Sequence, residues 1–132
     1  MLSKIHHVGV AVTDLDASIE LYERAFGGEL LHRAASESDG LEAAFIRTGS
    51  GEVELLRATR DDSPVGKFLA NRGPGLHHVA YAVDDIEKAL DQARQAGLEL
   101  IDAKPRMGLH GVRIAFLHPK SVGGVLTELV EQ

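Results

Sequence analysis

His6-His7-Val8-Gly9-Val10-Ala11-Val12 stands near the start of the chain, and His77-His78-Val79-Ala80-Tyr81-Ala82-Val83 repeats it 71 positions later. Both stretches alternate with a period of two, the signature of a strand with two distinct faces. In the first, Val8, Val10 and Val12 point one way, and His7, Gly9 and Ala11 the other. Each copy therefore offers an apolar face for a core and a face of small residues around one histidine.

The repeat extends outward from the histidines. Asp14 falls on Asp85, Leu15 on Ile86, Ile19 on Leu90, Gly40 on Gly111, and Ala44-Phe45-Ile46 on Ala115-Phe116-Leu117. After three inserted residues, Val53-Glu54-Leu55-Leu56 falls on Thr127-Glu128-Leu129-Val130. Asp14 is placed to cap a helix carrying Leu15, Ile19, Tyr22 and Phe26, which Gly27-Gly28 stops. Strands are expected at 29–34, 41–48 and 52–58. Residues 59–75 read as a linker with a short helix at about 65–71 and a Gly73-Pro74-Gly75 break. The order then restarts with a strand at 76–83 and a helix that Asp84-Asp85 caps and Gly97 stops. Strands at about 98–102, 112–118 and 124–130 complete it. The expected class is α+β: two tandem βαβββ modules, at about 4–58 and 76–132, forming a curved sheet around a metal-containing cleft in a single domain.

Composition narrows the function. The 132 residues carry 20 acidic and 14 basic side chains, a formal charge of −6. Nucleic acid, which calls for a basic face, is not an expected partner. No run approaches a membrane span, and nothing near Met1 reads as a targeting signal, so the expected location is cytoplasmic. The chain has no cysteine, which excludes disulfide and thiolate chemistry.

Strand parity turns His7, Glu54, His78 and Glu128 to inner faces. A carboxylate there is costly unless it is paired or bound to a metal. Two histidines and two glutamates without sulfur suit a divalent ion such as Co, Mn, Ni, Zn, Fe or Mg. Four protein ligands on an octahedral ion leave two positions for a substrate. Gly9, Ala11, Ala80 and Ala82 leave room beside them. Parity puts His6 and His77 on the valine face, packed near helices or strand ends, and His32 and His118 read as surface or loop residues.

With these residues in place, the chain resembles the vicinal oxygen chelate superfamily, whose members include glyoxalase I, extradiol dioxygenases and methylmalonyl-CoA epimerase. The resemblance to the methylmalonyl-CoA epimerase family runs over nearly the whole chain. It is carried by the first histidine stretch, Val53-Glu54-Leu55-Leu56, Asp62-Ser63-Pro64-Val65-Gly66-Lys67-Phe68-Leu69 and Gly75-Leu76-His77-His78-Val79-Ala80. Its most specific block is Ala115-Phe116-Leu117-His118-Pro119-Lys120-Ser121 with Gly123-Gly124-Val125-Leu126-Thr127-Glu128-Leu129. The resemblance implies epimerisation of (R)- and (S)-methylmalonyl-CoA by a 1,1-proton transfer through an enolate, with His7, Glu54, His78 and Glu128 as metal ligands. It also implies an acyl-CoA thioester as partner and a homodimer. Glyoxalase I chemistry on a similar four-ligand site is the alternative enzyme, and a metal-free small-molecule binder the alternative class. A fourth ligand at Glu54 argues against a dioxygenase, and inward carboxylates argue against a binder.

Inverting one carbon needs a base on one face and an acid on the other. Glu128 is a candidate for one role. Some relatives place a glutamate where Ala43 stands here. Its neighbour Glu42 has the wrong parity unless a bulge re-aims it, and His110, between Gly108 and Gly111, is the other candidate. Lys67, Arg72, Arg106, Arg113 and Lys120 are the basic residues near loops that could meet the coenzyme's phosphates. Lys120-Ser121 is the best placed of these, just ahead of the Glu128 strand.

Overall fold

The computed structural model describes residues 1–132. Two compact units carry the chain, one of His7–His77 and one of Met1–His6 with His78–Gln132. Strand β1 (Leu2–Ala11) begins in the second of these and ends in the first.

The His7–His77 unit continues through α1 (Leu15–Phe26), β2 (Glu29–Ser36), β3 (Leu41–Thr48), β4 (Gly51–Ala58) and α2 (Pro64–Arg72). Its strands lie in the order β2–β3–β4–β1. β2–β3–β4 is an antiparallel meander, and β1 runs parallel to β4 with Gly9 opposite Glu54. The first helix starts where Asp14 Oδ1 accepts a hydrogen bond from the Ala17 amide at 3.0 Å. It stops at Gly27, whose φ of 65° puts it in the left-handed region that glycine enters without a Cβ penalty. Leu15 and Ile19 pack on Ala44, Ile46 and Leu55, flanked by Val10, Val12 and Val53. The valine face of β1 is therefore the helix-covered one.

The other unit repeats the plan with β5 (Gly75–Val83), α3 (Ile86–Gln95), β6 (Arg106–Met107), β7 (Arg113–Leu117) and β8 (Thr127–Glu131). Here the order is β5–β8–β7–β6, with β5 parallel to β8. Asp85 caps α3 as Asp14 caps α1, its Oδ1 accepting from the Lys88 amide at 3.0 Å. Ile86, Ala89, Leu90 and Ala93 bury against Val83, Ala115, Leu117 and Leu129. The α+β class and the two successive βαβββ modules agree with the sequence reading.

One element differs. No regular strand forms at 98–102; Leu100 makes a single bridge to Leu117, and the edge strand is the two-residue β6 further on. The amides of Ile101 and Asp102 both donate to the Phe116 carbonyl, at 2.9 and 3.2 Å. Asp102 Oδ2 accepts from the Phe116 amide at 2.9 Å. The aspartate thus takes over a backbone partner that a ladder would have used, and a regular strand gives way to a side-chain clasp.

Candidate metal centre and active site

In the His7–His77 unit, strand register decides which side chains share a face. Gly9 lies beside Glu54, and Glu54 lies across from Phe45. His7, Gly9, Ala11, Glu54, Phe45 and Ala43 thus occupy the face that α1 does not cover. His7 and Glu54 are 1% and 6% exposed, and His7 Nε2 stands 3.3 Å from Glu54 Oε1.

The second unit repeats this arrangement. Register carries the face from Glu128 to Phe116 on β7 and to Ala80 on β5, and alternation carries it on to His78. His78 and Glu128 are each 3% exposed, with Nε2 and Oε2 3.0 Å apart. Neither carboxylate is near bulk water, and an unpartnered charge in such a place costs several kcal/mol.

These spacings fit a metal-ligand pair. At metal–donor distances of about 2.0–2.2 Å, two donors at right angles on one ion lie about 3 Å apart. Both pairs match that separation, and both present a nitrogen and an oxygen donor.

The other sequence candidates fall elsewhere. The β3–β4 pairing is continuous from Leu41 to Thr48, so no bulge turns Glu42, and the unit's bulge lies on β2 between Leu30 and His32. Glu42 keeps the α1 face, opposite Glu54, where Arg33 at 3.1 Å and Arg57 at 3.6 Å hold it. The catalytic expectation for Glu42 is corrected on that ground. Ala43 has the right parity but no titratable group.

His110 sits in the Gly108–Gly111 turn, its ring edge-on to His6 at 5.2 Å. His77 packs edge-on against Phe68 of α2 at 5.0 Å. His32 stacks on Phe45 at 4.4 Å. His118 is not an idle loop residue: its Nδ1 accepts from the Lys120 amide at 3.0 Å and caps the 3-10 turn Pro119–Ser121. Ser121 Oγ accepts from the Glu99 amide at 2.9 Å, so its hydroxyl braces this turn, while Lys120 is exposed.

The model of the Glyoxalase/Bleomycin resistance protein/Dioxygenase superfamily matches residues 6–116. Mitochondrial methylmalonyl-CoA epimerase of Dictyostelium discoideum is 36% identical over 132 residues, covering 99% of this chain and 80% of its own length. This chain belongs to the methylmalonyl-CoA epimerase family of that superfamily. Ethylmalonyl-CoA/methylmalonyl-CoA epimerase of Cereibacter sphaeroides is 35% identical over 131 residues, covering 98% of each chain. A variant of Streptomyces coelicolor methylmalonyl-CoA epimerase, solved in complex with 2-nitronate-propionyl-CoA, superposes with a TM-score of 0.95. It shares 40% identity, covering 100% of this chain and 99% of that one.

Sequence reasoning missed what surrounds each pair in this family member. Phe45 and Phe116 lie directly across from the two glutamates, and Phe116 meets the His78 ring edge-on at 5.6 Å. The signal was present, because the phenylalanines match at the same offset of 71 as the histidines. Their cross-strand partners were not readable without the register.

Proposed function

We propose that the chain interconverts (R)- and (S)-methylmalonyl-CoA, with His7, Glu54, His78 and Glu128 as ligands of one divalent cation. The observation that carries this reading is the duplicated, buried histidine–glutamate pair in a member of the epimerase family. A buried pair of this kind has a ready use as half of a four-ligand set, and a duplicated chain supplies two. When bound, a divalent cation supplies positive charge that stabilises the enolate formed on proton removal.

The chain's own groups move the proton. Glu128 is assigned to one face of the reacting carbon and His110 to the other. One takes the α-proton while the other returns a proton from the opposite side, and the roles exchange for the reverse reaction. Gly9, Ala11, Ala80 and Ala82 keep the ligand faces free of bulk, which favours a small branched acyl group. Lys120, exposed on its turn, is assigned to the coenzyme's phosphates, with Ser121 bracing that turn. Residence in the cytoplasm, assembly of the single domain as a homodimer, and the choice among Co, Mn, Ni, Zn and Mg belong to the same proposal. No helix is long and apolar enough to cross a membrane.

The test is a stereochemical assay on protein loaded with cobalt or manganese. Conversion of (S)- into (R)-methylmalonyl-CoA is expected, with no turnover of methylglyoxal and glutathione. The reverse pattern would assign the chain glyoxalase chemistry instead.

A further inference from the structure

Strand register separates the basic residues that the sequence offers as anion ligands. Arg113 lies opposite Met107 and keeps the α3 face with Ala115. Its guanidinium donates to both oxygens of Glu131, at 2.9 Å each, and to Glu87 at 3.1 Å. That residue is committed to holding α3 on the sheet.

Arg106 is placed differently. It pairs with Ile114, which shares a face with Phe116, and Phe116 lies across from Glu128. Arg106 is thus the basic residue of β6–β8 that shares the face of His78 and Glu128. Its guanidinium carbon lies 5.8 Å above the Phe116 ring, which in turn touches the His78 ring. Asp102 Oδ1 accepts from Arg106 Nε at 3.2 Å, while its other oxygen takes the Phe116 amide. Aspartate, ring and guanidinium form one braced arm, and the arm stands one aromatic ring away from the histidine–glutamate pair.

The first copy of the repeat has no such arm. At the offset of 71, Ala35 stands for Arg106 and Leu31 for Asp102. Phe45 is wholly buried beneath the His32 ring, whereas Phe116 is only half-buried. In the first copy Arg47 has the parity of Phe45, but Glu29 pairs with it at 3.5 Å, so a guanidinium braced on the phenylalanine across from the glutamate is found in the second copy and not at the matching place in the first. A malonyl-type thioester is asymmetric in the same sense, with a neutral thioester on one arm of the reacting carbon and a carboxylate on the other.

We propose that Arg106, held by Asp102 and Phe116, binds the acyl carboxylate of the substrate and selects thioesters that carry one. The proposal rests on the acyl-CoA reading above and names which part of that substrate the arm recognises. A planar guanidinium with five donors suits a carboxylate better than an ammonium does. Asp102 is a positioning residue in this scheme.

The experiment measures calorimetric affinities of metal-loaded protein for malonyl-CoA and acetyl-CoA, which differ by one carboxylate. Unmodified protein is expected to prefer malonyl-CoA by at least roughly tenfold. Arg106→Gln should lose most of that preference with the acetyl-CoA affinity unchanged, which also reports an intact fold. Arg106→Lys and Asp102→Asn should each lose part of it. Equal weakening of both thioesters would mean that Arg106 meets the coenzyme's phosphates, and would overturn the proposal. A preference left intact in Arg106→Gln and Arg106→Lys would overturn it too, as would unmodified protein that binds both thioesters equally. Unmodified protein that binds neither thioester would instead remove the acyl-CoA reading on which the proposal rests.

Discussion

At the residue scale, a buried carboxylate beside an imidazole needs a partner that offsets its loss of water. Glu54 and Glu128 each lie within 3.3 Å of a histidine nitrogen and are nearly shut off from water. As metal ligands they gain a cation that offsets their desolvation; without one they are expensive to keep. Glu54→Ala and Glu128→Ala are therefore each expected to weaken cobalt affinity by roughly tenfold or more, read by competition against a chromophoric chelator. Unchanged affinity in both would contradict the ligand assignment. Binding should also weaken as pH falls, because a histidine must be neutral to ligate. The inward parity of the histidines was legible, since Val8, Val10 and Val12 alternate with His7, Gly9 and Ala11. Arg106 was not legible in the same way. Only its pairing with Ile114 across a two-residue strand separates it from Arg113, and nothing in Arg106-Met107 announces a strand.

At the scale of elements, the two helices are held by matched caps, and their removal should cost about the same. Asp14→Ala and Asp85→Ala each forfeit one hydrogen bond to a first-turn amide, worth about 1 kcal/mol. In a chain of this size that lowers Tm by about 4 °C, measurable by calorimetry. Helix α3 has a further tie, because Glu131 Oε2 accepts from the Ile86 amide at 3.1 Å while Arg113 grips the same carboxylate. The Arg113 guanidinium first, and the Ile86 amide second, hold the Glu131 carboxyl below its ordinary value of 4.5. Its contribution to stability is present above that value and is lost as pH falls through the lower folded-state pKa. Both partners are partly solvated, so the effect is modest. Denaturant unfolding of Arg113→Met should show less loss of stability between about pH 5 and about pH 3 than the unmodified protein. An identical acid dependence in the two would contradict the clasp. Helix ends were readable because aspartate caps and terminal glycines are local signals. The 98–102 segment was misread because Asp102, thirteen residues before Ala115, reaches the Phe116 amide, a contact that no local pattern records.

At the scale of the whole molecule, a duplicated βαβββ chain accounts for a doubled ligand pair, while an epimerase has to treat the two faces of one carbon differently. The duplication was legible from the 71-residue offset, and with it the fold class and the two buried histidine–glutamate pairs. The asymmetric arm was not, because Arg106 and Asp102 have no counterparts in the first copy, whereas His110 entered through the family resemblance and not through the repeat. A dimer should sediment near twice 14.2 kDa, and a species of 14.2 kDa at micromolar concentration would contradict the homodimer. In the proposed reaction this chain takes the α-proton from one face of a malonyl-type thioester and returns a proton to the other. Incubating metal-loaded protein with (S)-methylmalonyl-CoA in deuterium oxide tests it most directly, with product followed by mass spectrometry and chiral resolution. Deuterium at the α-carbon together with the (R) isomer is expected, both lost in Glu128→Gln. Metal-loaded protein that leaves the α-proton unexchanged and the configuration unchanged would contradict it.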